Sequence, residues 1–338
     1  MNATMSSETS KHIPVMLDKI LSIITPQHGG IFVDCTFGGG GYTSSILNFS
    51  NTKVIAFDRD KIVNSYVKVL LEKYNNRLFF YNKKFSQIDS TLEKDKLCNA
   101  IIFDLGYSMF QVKDLSRGFS FNSSGSLDMR MGINDFSASD VINKLDNKEI
   151  ATILKVYGEE KNCKKIAFEI ANLRKRKKID TFDLVNIIKK SSKKKFSKIN
   201  IATKSFQALR IFVNKEISEL IYGLIGAAKK LKPGGILLVV TFHSIEDRIV
   251  KFFFKTYSEK KSNISRYLPE LEKKDLRLFN YFQKKPIRPS EKEISKNHSS
   301  RSAKLRYVIR NNNDFFFPDN FVKKFKNYLD IEQLGSKL

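Results

Sequence analysis

The N-terminal part of the chain alternates short continuous apolar runs with stretches of helical spacing. Residues 12–25 carry apolar positions at helical intervals, and Pro26 stops that helix. Ile31–Asp34 is an apolar run ending in an acid; it opens onto Gly38–Gly41, and Tyr42–Phe49 then reads as a helix. Lys53–Phe57 is a second strand, ending at Asp58, with a helix over 61–73. Leu78–Tyr81 and Ala100–Phe103 are the third and fourth strands, the fourth ending at Asp104. Continuous apolar strands between helices predict a parallel sheet covered on both faces.

The next strong strand is Gly235–Thr241, preceded by a helix-ending turn at Leu231–Gly234. One crossover helix fills only a fraction of residues 107–230, so a subdomain is inserted there. Helical spacing over 139–155, 160–176 and 180–192 makes the insert mainly α. Ser302–Arg310 alternates like a closing strand, and 311–338 reads as an appended tail with a short helix. The expected fold class is α/β, a Rossmann-like sheet with an inserted, mainly helical subdomain. The expected organisation is a discontinuous sheet domain (1–115 and 215–312), an insert (116–214) and a tail (313–338).

Charge adds a partner. The 338 residues carry 60 Lys and Arg against 35 Asp and Glu, a net +25. Such an excess attracts polyanions. Within 155–204 there are 16 basic residues against 5 acids, interleaved with Tyr157, Phe168, Phe182 and Phe196, which makes the insert the candidate nucleic-acid face. Cys35, Cys98 and Cys163 are far apart and form no metal-ligand pair, so they read as reduced, buried thiols. His12, His28 and His298 show no metal spacing either, and no metal is expected. The N-terminus is polar and no apolar run is long enough to span a bilayer, so the expected location is cytoplasmic, with no membrane partner. The oligomeric state, monomer or dimer, is left open.

The chemistry lies at the strand ends. A glycine turn between strand and helix lets backbone N–H groups approach a ligand. Here the pattern is Gly38-x-Gly40-x-x-Thr43, without the third glycine of a dinucleotide site. Asp34 before the turn can neutralise an ammonium or orient the loop. Asp58 can bond the ribose hydroxyls of an adenosine cofactor. Asp104 stands where the transferable group belongs. For His243 and Glu246 two readings stand: general-base chemistry, or a helix start in which Ser244 and Asp247 form a capping box. Asp128 and Arg130 either shape a substrate pocket or form a structural ion pair.

The sequence resembles the bacterial 16S rRNA cytosine-N4 methyltransferases, the RsmH or MraW family. The matching segments are HIPVMLD (12–18), DCTFGGGG (34–41), FDRD (57–60), DLGYS (104–108), RGFSF (117–121), LDMRM (127–131), YGEE (157–160), FQALRIFVN (206–214), LKPGG (231–235), FHSIEDR (242–248) and RSAKLR (301–306). They run from about His12 to Arg310 in family order, and several are not general methyltransferase motifs. The resemblance implies an S-adenosylmethionine-dependent sheet with cofactor contacts from Asp34, Gly38, Gly40, Gly41, Tyr42, Asp58, Phe85, Asp104 and Gln111. It implies transfer to the N4 amine of a cytidine in 16S rRNA near the decoding centre of the small ribosomal subunit. Asp104, Ser108 and His243 are the catalytic candidates. Two departures stand out: Tyr42 where the family usually has His, and the loop Gly106-Tyr-Ser-Met-Phe-Gln111 where it usually reads Gly-Val-Ser-Ser-Pro-Gln. The alternatives are a DNA amino-methyltransferase, although Asp104-Leu-Gly-Tyr107 lacks the two prolines usual there, and a non-catalytic cofactor-binding RNA module.

Overall fold

The computed structural model describes residues 14–121, 123, 125–192, 200–258 and 277–338. Strands β1 (Gly30–Asp34), β2 (Thr52–Phe57), β3 (Leu78–Tyr81), β4 (Cys98–Asp104), β5 (Leu231–Thr241), β6 (Phe279–Phe282) and β7 (Lys304–Arg310) form one sheet, ordered β3-β2-β1-β4-β5-β7-β6. The first five pair in parallel, while β7 runs antiparallel to β5 and β6 antiparallel to β7. Strand order reverses between β1 and β4, and open α/β sheets bind ligands in the crevice beyond the strand C-termini at such a reversal. Asp58 and Asp104 line that crevice, and Asp34 lies buried behind it.

Helices α1 (Leu17–Ile24), α2 (Gly41–Leu47) and α3 (Asn64–Lys73) belong to the first half of the sheet. The short helices α4 (Ile88–Thr91) and α5 (Met109–Lys113) flank β4. Between α5 and β5 lie α6 (Ala138–Lys144), α7 (Asn147–Gly158), α8 (Cys163–Leu173), α9 (Thr181–Ser191), α10 (Thr203–Asn214) and the crossover helix α11 (Glu216–Lys230). α12 (Ser244–Tyr257) follows β5, α13 (Glu291–Lys296) precedes β7, and α14 (Asp319–Lys324) and α15 (Lys326–Glu332) come after it.

Side chains alternate across a strand, so each strand feeds two cores. Phe32, Val54, Ala56, Ile102, Leu238 and Val240 pack with Ile20, Ile46 and Leu47 on one face. Val33, Ile55, Phe57, Ile101, Phe103, Leu237 and Val239 join a second cluster that continues through Leu220 and Leu224 of α11 into Leu154, Tyr157 and Phe212 among the inserted helices. Sheet and inserted helices therefore share one apolar interior.

The junction between them is polar as well. Asn214, fully buried at the end of α10, donates to the Met129 and Arg210 carbonyls (2.8 Å each) and accepts from Met131 N (2.8 Å). Arg59, just past β2, donates to the Asn214 carbonyl at 2.8 Å. Gly132 (φ +109°) abuts the Arg59 carbonyl so closely that a Cβ there would overlap it.

Several elements differ from their sequence expectation. The helix expected over 139–155 breaks into α6 and α7 because Asp146 accepts from Glu149 N (2.8 Å) while Glu149 Oε2 accepts from Asp146 N (2.9 Å), a capping box that starts a new helix. β5 begins at Leu231 rather than Gly235: Cys98 pairs with Leu231 and Ala100 with Ile236, so residues 232–235 bulge out, with Gly234 at φ 75°. β6 was not expected. The N-terminal helix starts only at Leu17, after Met16 in the left-handed region; His12 lies outside the described residues.

The C-terminal segment is packed into the interior. Phe321 is fully buried among Phe252, Phe253 and Phe325, and Tyr157 Oη donates to the Tyr328 carbonyl at 2.6 Å. Glu332 Oε1 accepts from Ile217 N and Ser218 N (3.2 and 3.3 Å), supplying the side-chain acceptor that the first turn of α11 lacks at its own N-cap. The tail thus bridges α7 of the insert and α11 and α12 of the sheet. No described helix is long and apolar enough to cross a membrane.

Candidate active site

A cavity of about 830 Å³ opens at the C-terminal ends of β1, β2, β4 and β5. Gly38, Gly41, Tyr42, Asp58, Phe85, Asp104, Ser108, Gln111 and His243 all line it. Asp34 and Gly40 do not, and their roles follow from their neighbours. Asp34 is fully buried, accepting from Thr43 Oγ1 (2.8 Å) and Thr36 N (3.2 Å), so it braces the glycine turn from behind. Gly40 (φ +74°) closes the turn, its N–H donating to the Phe37 carbonyl at 2.7 Å; a Cβ there would meet Leu70 and Phe37. Gly41 lies against Pro14, which leaves no room for any side chain.

The turn is tied to the next strand. Gly38 N donates to Asp58 Oδ2 (2.9 Å) and Asp60 N to Asp58 Oδ1 (2.8 Å), which orients the Asp58 carboxylate. Burial pushes its pKa up to about 6, with those backbone donors opposing. Asp34 is also raised to about 6, chiefly by burial. Asp104 is raised furthest, to about 8, by desolvation first and then by the Asp34 charge, with the Tyr42 hydroxyl opposing. Tyr42 donates to the Val15 carbonyl and lies 3.4 Å from Asp104 Oδ2. Asp104 Oδ1 is shut off from solvent and has no hydrogen-bond partner. A buried, unpartnered carboxylate oxygen is costly, and a cationic ligand removes that cost. Phe85 packs edge-on against Phe103 (5.2 Å, 90°) over Gly223, leaving an aromatic wall to the cavity. An adenosyl sulfonium with an amino-acid tail fits this set: a ribose acceptor at Asp58, a ring wall at Phe85, backbone at Gly38, and an anion at Asp104.

Two of the expected site residues spend their polar atoms inside the protein. Gln111 Nε2 donates to Asp60 Oδ2 (2.8 Å) and its Oε1 accepts from Ser108 N (2.9 Å), which fixes the amide at the cavity wall with one donor and one lone pair uncommitted by these bonds. Ser108 is the N-cap of α5, accepting from Gln111 N at 3.4 Å. Asp60 also pairs with Arg117 (2.6 Å), which ties the RGFSF segment to the end of β2. Asp128 and Arg130 form a mutual pair (2.7 Å) away from this cavity, while Met129 and Met131 between them line it.

The capping box after β5 is one residue earlier than expected. His243 is the N-cap of α12, its Nδ1 accepting from Glu246 N (3.4 Å), and Glu246 Oε2 accepts from Phe242 N (2.8 Å) and His243 N (3.2 Å). Ser244 is the first helical residue, and Asp247 instead pairs with Lys304 (3.1 Å) and Arg306 (2.8 Å) of β7. His243 Nε2 lies 3.0 Å from Glu246 Oε1. Burial would raise Glu246, but the His243 charge, the His243 hydrogen bond and Arg210 together hold it below its ordinary value.

Sequence reading missed one part of the cavity wall. Arg210 of α10 forms a bidentate pair with Glu216 of α11 (Nε–Oε1 and Nη2–Oε2, 2.8 Å each), and its guanidinium lies 4.9 Å from the Tyr107 ring centroid. Arg210 falls within the FQALRIFVN segment and Glu216 just after it, but neither helix position by itself signals a role. Glu216, His243 and Glu246 lie within 4.8 Å of one another in a metal-like grouping, but Arg210 takes both Glu216 oxygens and two backbone amides take Glu246 Oε2.

A parallel sheet with its cavity at the strand reversal, a glycine turn after β1 and acids after β1, β2 and β4 define an S-adenosylmethionine-dependent methyltransferase. The chain belongs to the MraW methylase family, whose model matches residues 9–311. It is 45% identical over 304 residues to the Ribosomal RNA small subunit methyltransferase H of Ehrlichia canis (strain Jake), covering 88% of this chain and 99% of that protein. It is 42% identical to the protein of the same name from Bartonella henselae, covering 92% and 89%. Among solved structures, a putative rRNA-methylase from Clostridium thermocellum aligns over 88% of this chain and 97% of its own at 12% identity and a TM-score of 0.40.

Proposed function

We propose that this protein transfers a methyl group from S-adenosylmethionine to the exocyclic N4 amine of a cytidine in 16S rRNA, near the decoding centre of the small ribosomal subunit, in the cytoplasm. One observation carries the chemistry: Asp104, whose Oδ1 is desolvated and without a hydrogen-bond partner, lines the cavity at the strand reversal. The names of the relatives supply the substrate class.

The bound cofactor supplies an electrophilic methyl on a sulfonium. The protein's task is alignment, because the N4 lone pair is delocalised into the pyrimidine ring. Asp104 and the Leu105-to-Ser108 backbone accept N4–H bonds as the nitrogen pyramidalises, which favours the transition state over the ground state. Tyr42 and Thr36 hold Asp104 in place: Thr36 Oγ1 accepts from Asp104 N at 2.8 Å. The proton leaves after transfer, so a strong base is not required. His243 serves as the α12 cap at the cavity edge. The target base must leave its stack to reach this depth.

We assign residues 116–214 to RNA recognition. Phe168 and Phe182 are 54% and 66% exposed on α8 and α9, and Lys175, Arg176 and Lys178, between the two helices in the chain, are exposed as well; Tyr157 is buried and structural. Phe196 and Lys193–Lys195 lie outside the described residues. Replacing Lys175, Arg176 and Lys178 by Ala is expected to weaken RNA binding about tenfold or more at moderate salt. It should also flatten the salt dependence by roughly 2–3 units of log–log slope. An unchanged slope in a filter-binding titration would defeat the assignment.

The deciding assay offers labelled S-adenosylmethionine with small subunits, naked 16S rRNA and DNA in parallel. Label in RNA that mass spectrometry places on a cytidine N4 is the expected result. Label only in DNA, or cofactor binding with no transfer to any of the three, overturns the proposal.

A further inference from the structure

The cavity that Asp104 lines also carries a large, half-exposed aromatic ring. Gly106 (φ +101°) turns the chain outward after β4, and Tyr107, lining the cavity, is left 52% exposed. The Arg210 guanidinium lies 4.9 Å from the ring centroid and is fixed by its two bonds to Glu216. Phe119 stands 6.2 Å away at 39°, with Arg117 lying 5.6 Å from the Phe119 ring. Two rings, each with a guanidinium against it, thus line the cavity that the desolvated carboxylate also lines.

We propose that Tyr107 is the stacking platform for the flipped-out target base. This rests on the reading that the enzyme methylates a cytidine in RNA. A pyrimidine drawn out of its helix or loop loses its stacking neighbours, and an aromatic side chain restores one of them. Tyr107 is preorganised for this. Arg210 holds the ring, so little side-chain freedom is lost when a base arrives. The placement fits the chemistry too, since Tyr107 follows Asp104 by three residues and the base and the acceptor for its N4–H share one loop. A ring here adds affinity for the extruded base and stands apart in the chain from the cofactor-side residues Gly38, Asp58 and Phe85.

The test is steady-state methyl transfer to small ribosomal subunits by wild type, Tyr107→Val and Tyr107→Phe, with cofactor affinity and melting temperature measured on each. The expected result is a KM for the RNA substrate raised about tenfold in Tyr107→Val. Tyr107→Phe should stay within about twofold of wild type, and cofactor affinity should be unchanged in both. A wild-type KM in Tyr107→Val overturns the platform while leaving the methyltransferase reading intact. So does equal damage in Tyr107→Phe, which would point to the hydroxyl instead. Wild type that labels no RNA overturns both together.

Discussion

Replacing Asp104 by Asn is expected to cut methyl transfer by at least about a hundredfold and to weaken cofactor binding in the same protein. The substitution keeps the shape of the side chain but removes its charge. In the wild type, Oδ1 has no partner and Oδ2 faces only the Tyr42 hydroxyl at 3.4 Å. The charge is therefore available to a cationic ligand. The pKa of about 8 gives a sharper test. Below that pH the free enzyme holds Asp104 mostly protonated, and pairing with a cation requires the carboxylate. Binding near pH 7 should then release close to one proton, seen by calorimetry in buffers of different ionisation enthalpy. Affinity should rise with pH up to about 8 and level off above it.

The same shifts govern the stability of the ligand-free protein. Asp34 and Asp58 at about 6 and Asp104 at about 8 lie above their unfolded values. Each makes a contribution that is fully present below the ordinary carboxylate range and is lost as pH rises through the folded value. The melting temperature of the free protein should fall between about pH 5 and pH 8, and bound cofactor should flatten the fall. In Asp104→Asn the proton release near pH 7 should disappear. A variant that still releases it, or that keeps wild-type turnover, would remove Asp104 from the site.

Phe321→Ala is expected to destabilise the fold by ~3–5 kcal/mol, the usual range for deleting a fully buried ring. Phe321 has no exposed surface, and its ring centroid lies 4.6 Å from Phe253 and 5.6 Å from Phe325. The effect should reach beyond the cavity left by the ring. The same segment carries Tyr328, which holds Tyr157 of α7, and Glu332, which caps α11 one residue past Glu216. Loosening it leaves two α11 amides without their acceptor, beside the residue that fixes Arg210. A loss of melting temperature on the order of 10 °C is expected, with cofactor affinity of the folded fraction unchanged because Phe321 does not line the cavity. A variant melting within 1–2 °C of wild type would show the tail to be a loose appendage.

That segment shows where local pattern stops being informative. Residues 311–338 lack a long apolar run or a strong period, and read alone they look like an appended tail with a short helix. Their burial depends on a groove made by α7, α11 and α12, which no window of sequence contains. β6 escaped notice for a related reason: only four residues long, it gains its strand pairing from β7. The resemblance makes Gln111 a cofactor contact and Ser108 a catalytic candidate; both line the cavity, and the fold also uses Ser108 as a helix cap and bonds the Gln111 amide to Asp60.

By itself the sequence determined the parallel sheet, the glycine turn and the placing of Asp34, Asp58 and Asp104 at strand ends, because all of these are written in contiguous residues. A strand's apolar run, its terminal acid and the turn after it are local in chain and in space alike. Tertiary structure decided what each acid does. Asp34 became a brace because Thr43 and Thr36 bond it, and Asp104 was left for a ligand because no protein group bonds its buried Oδ1. Tertiary structure also chose between two overlapping capping boxes. His243/Glu246 and Ser244/Asp247 both satisfy the local spacing, but Lys304 and Arg306 on β7, nearly sixty residues away, claim Asp247 and leave His243 to start the helix. A hydrogen-bonding group takes the partner that folding brings within reach, and that partner is fixed by packing rather than by its neighbours in the chain.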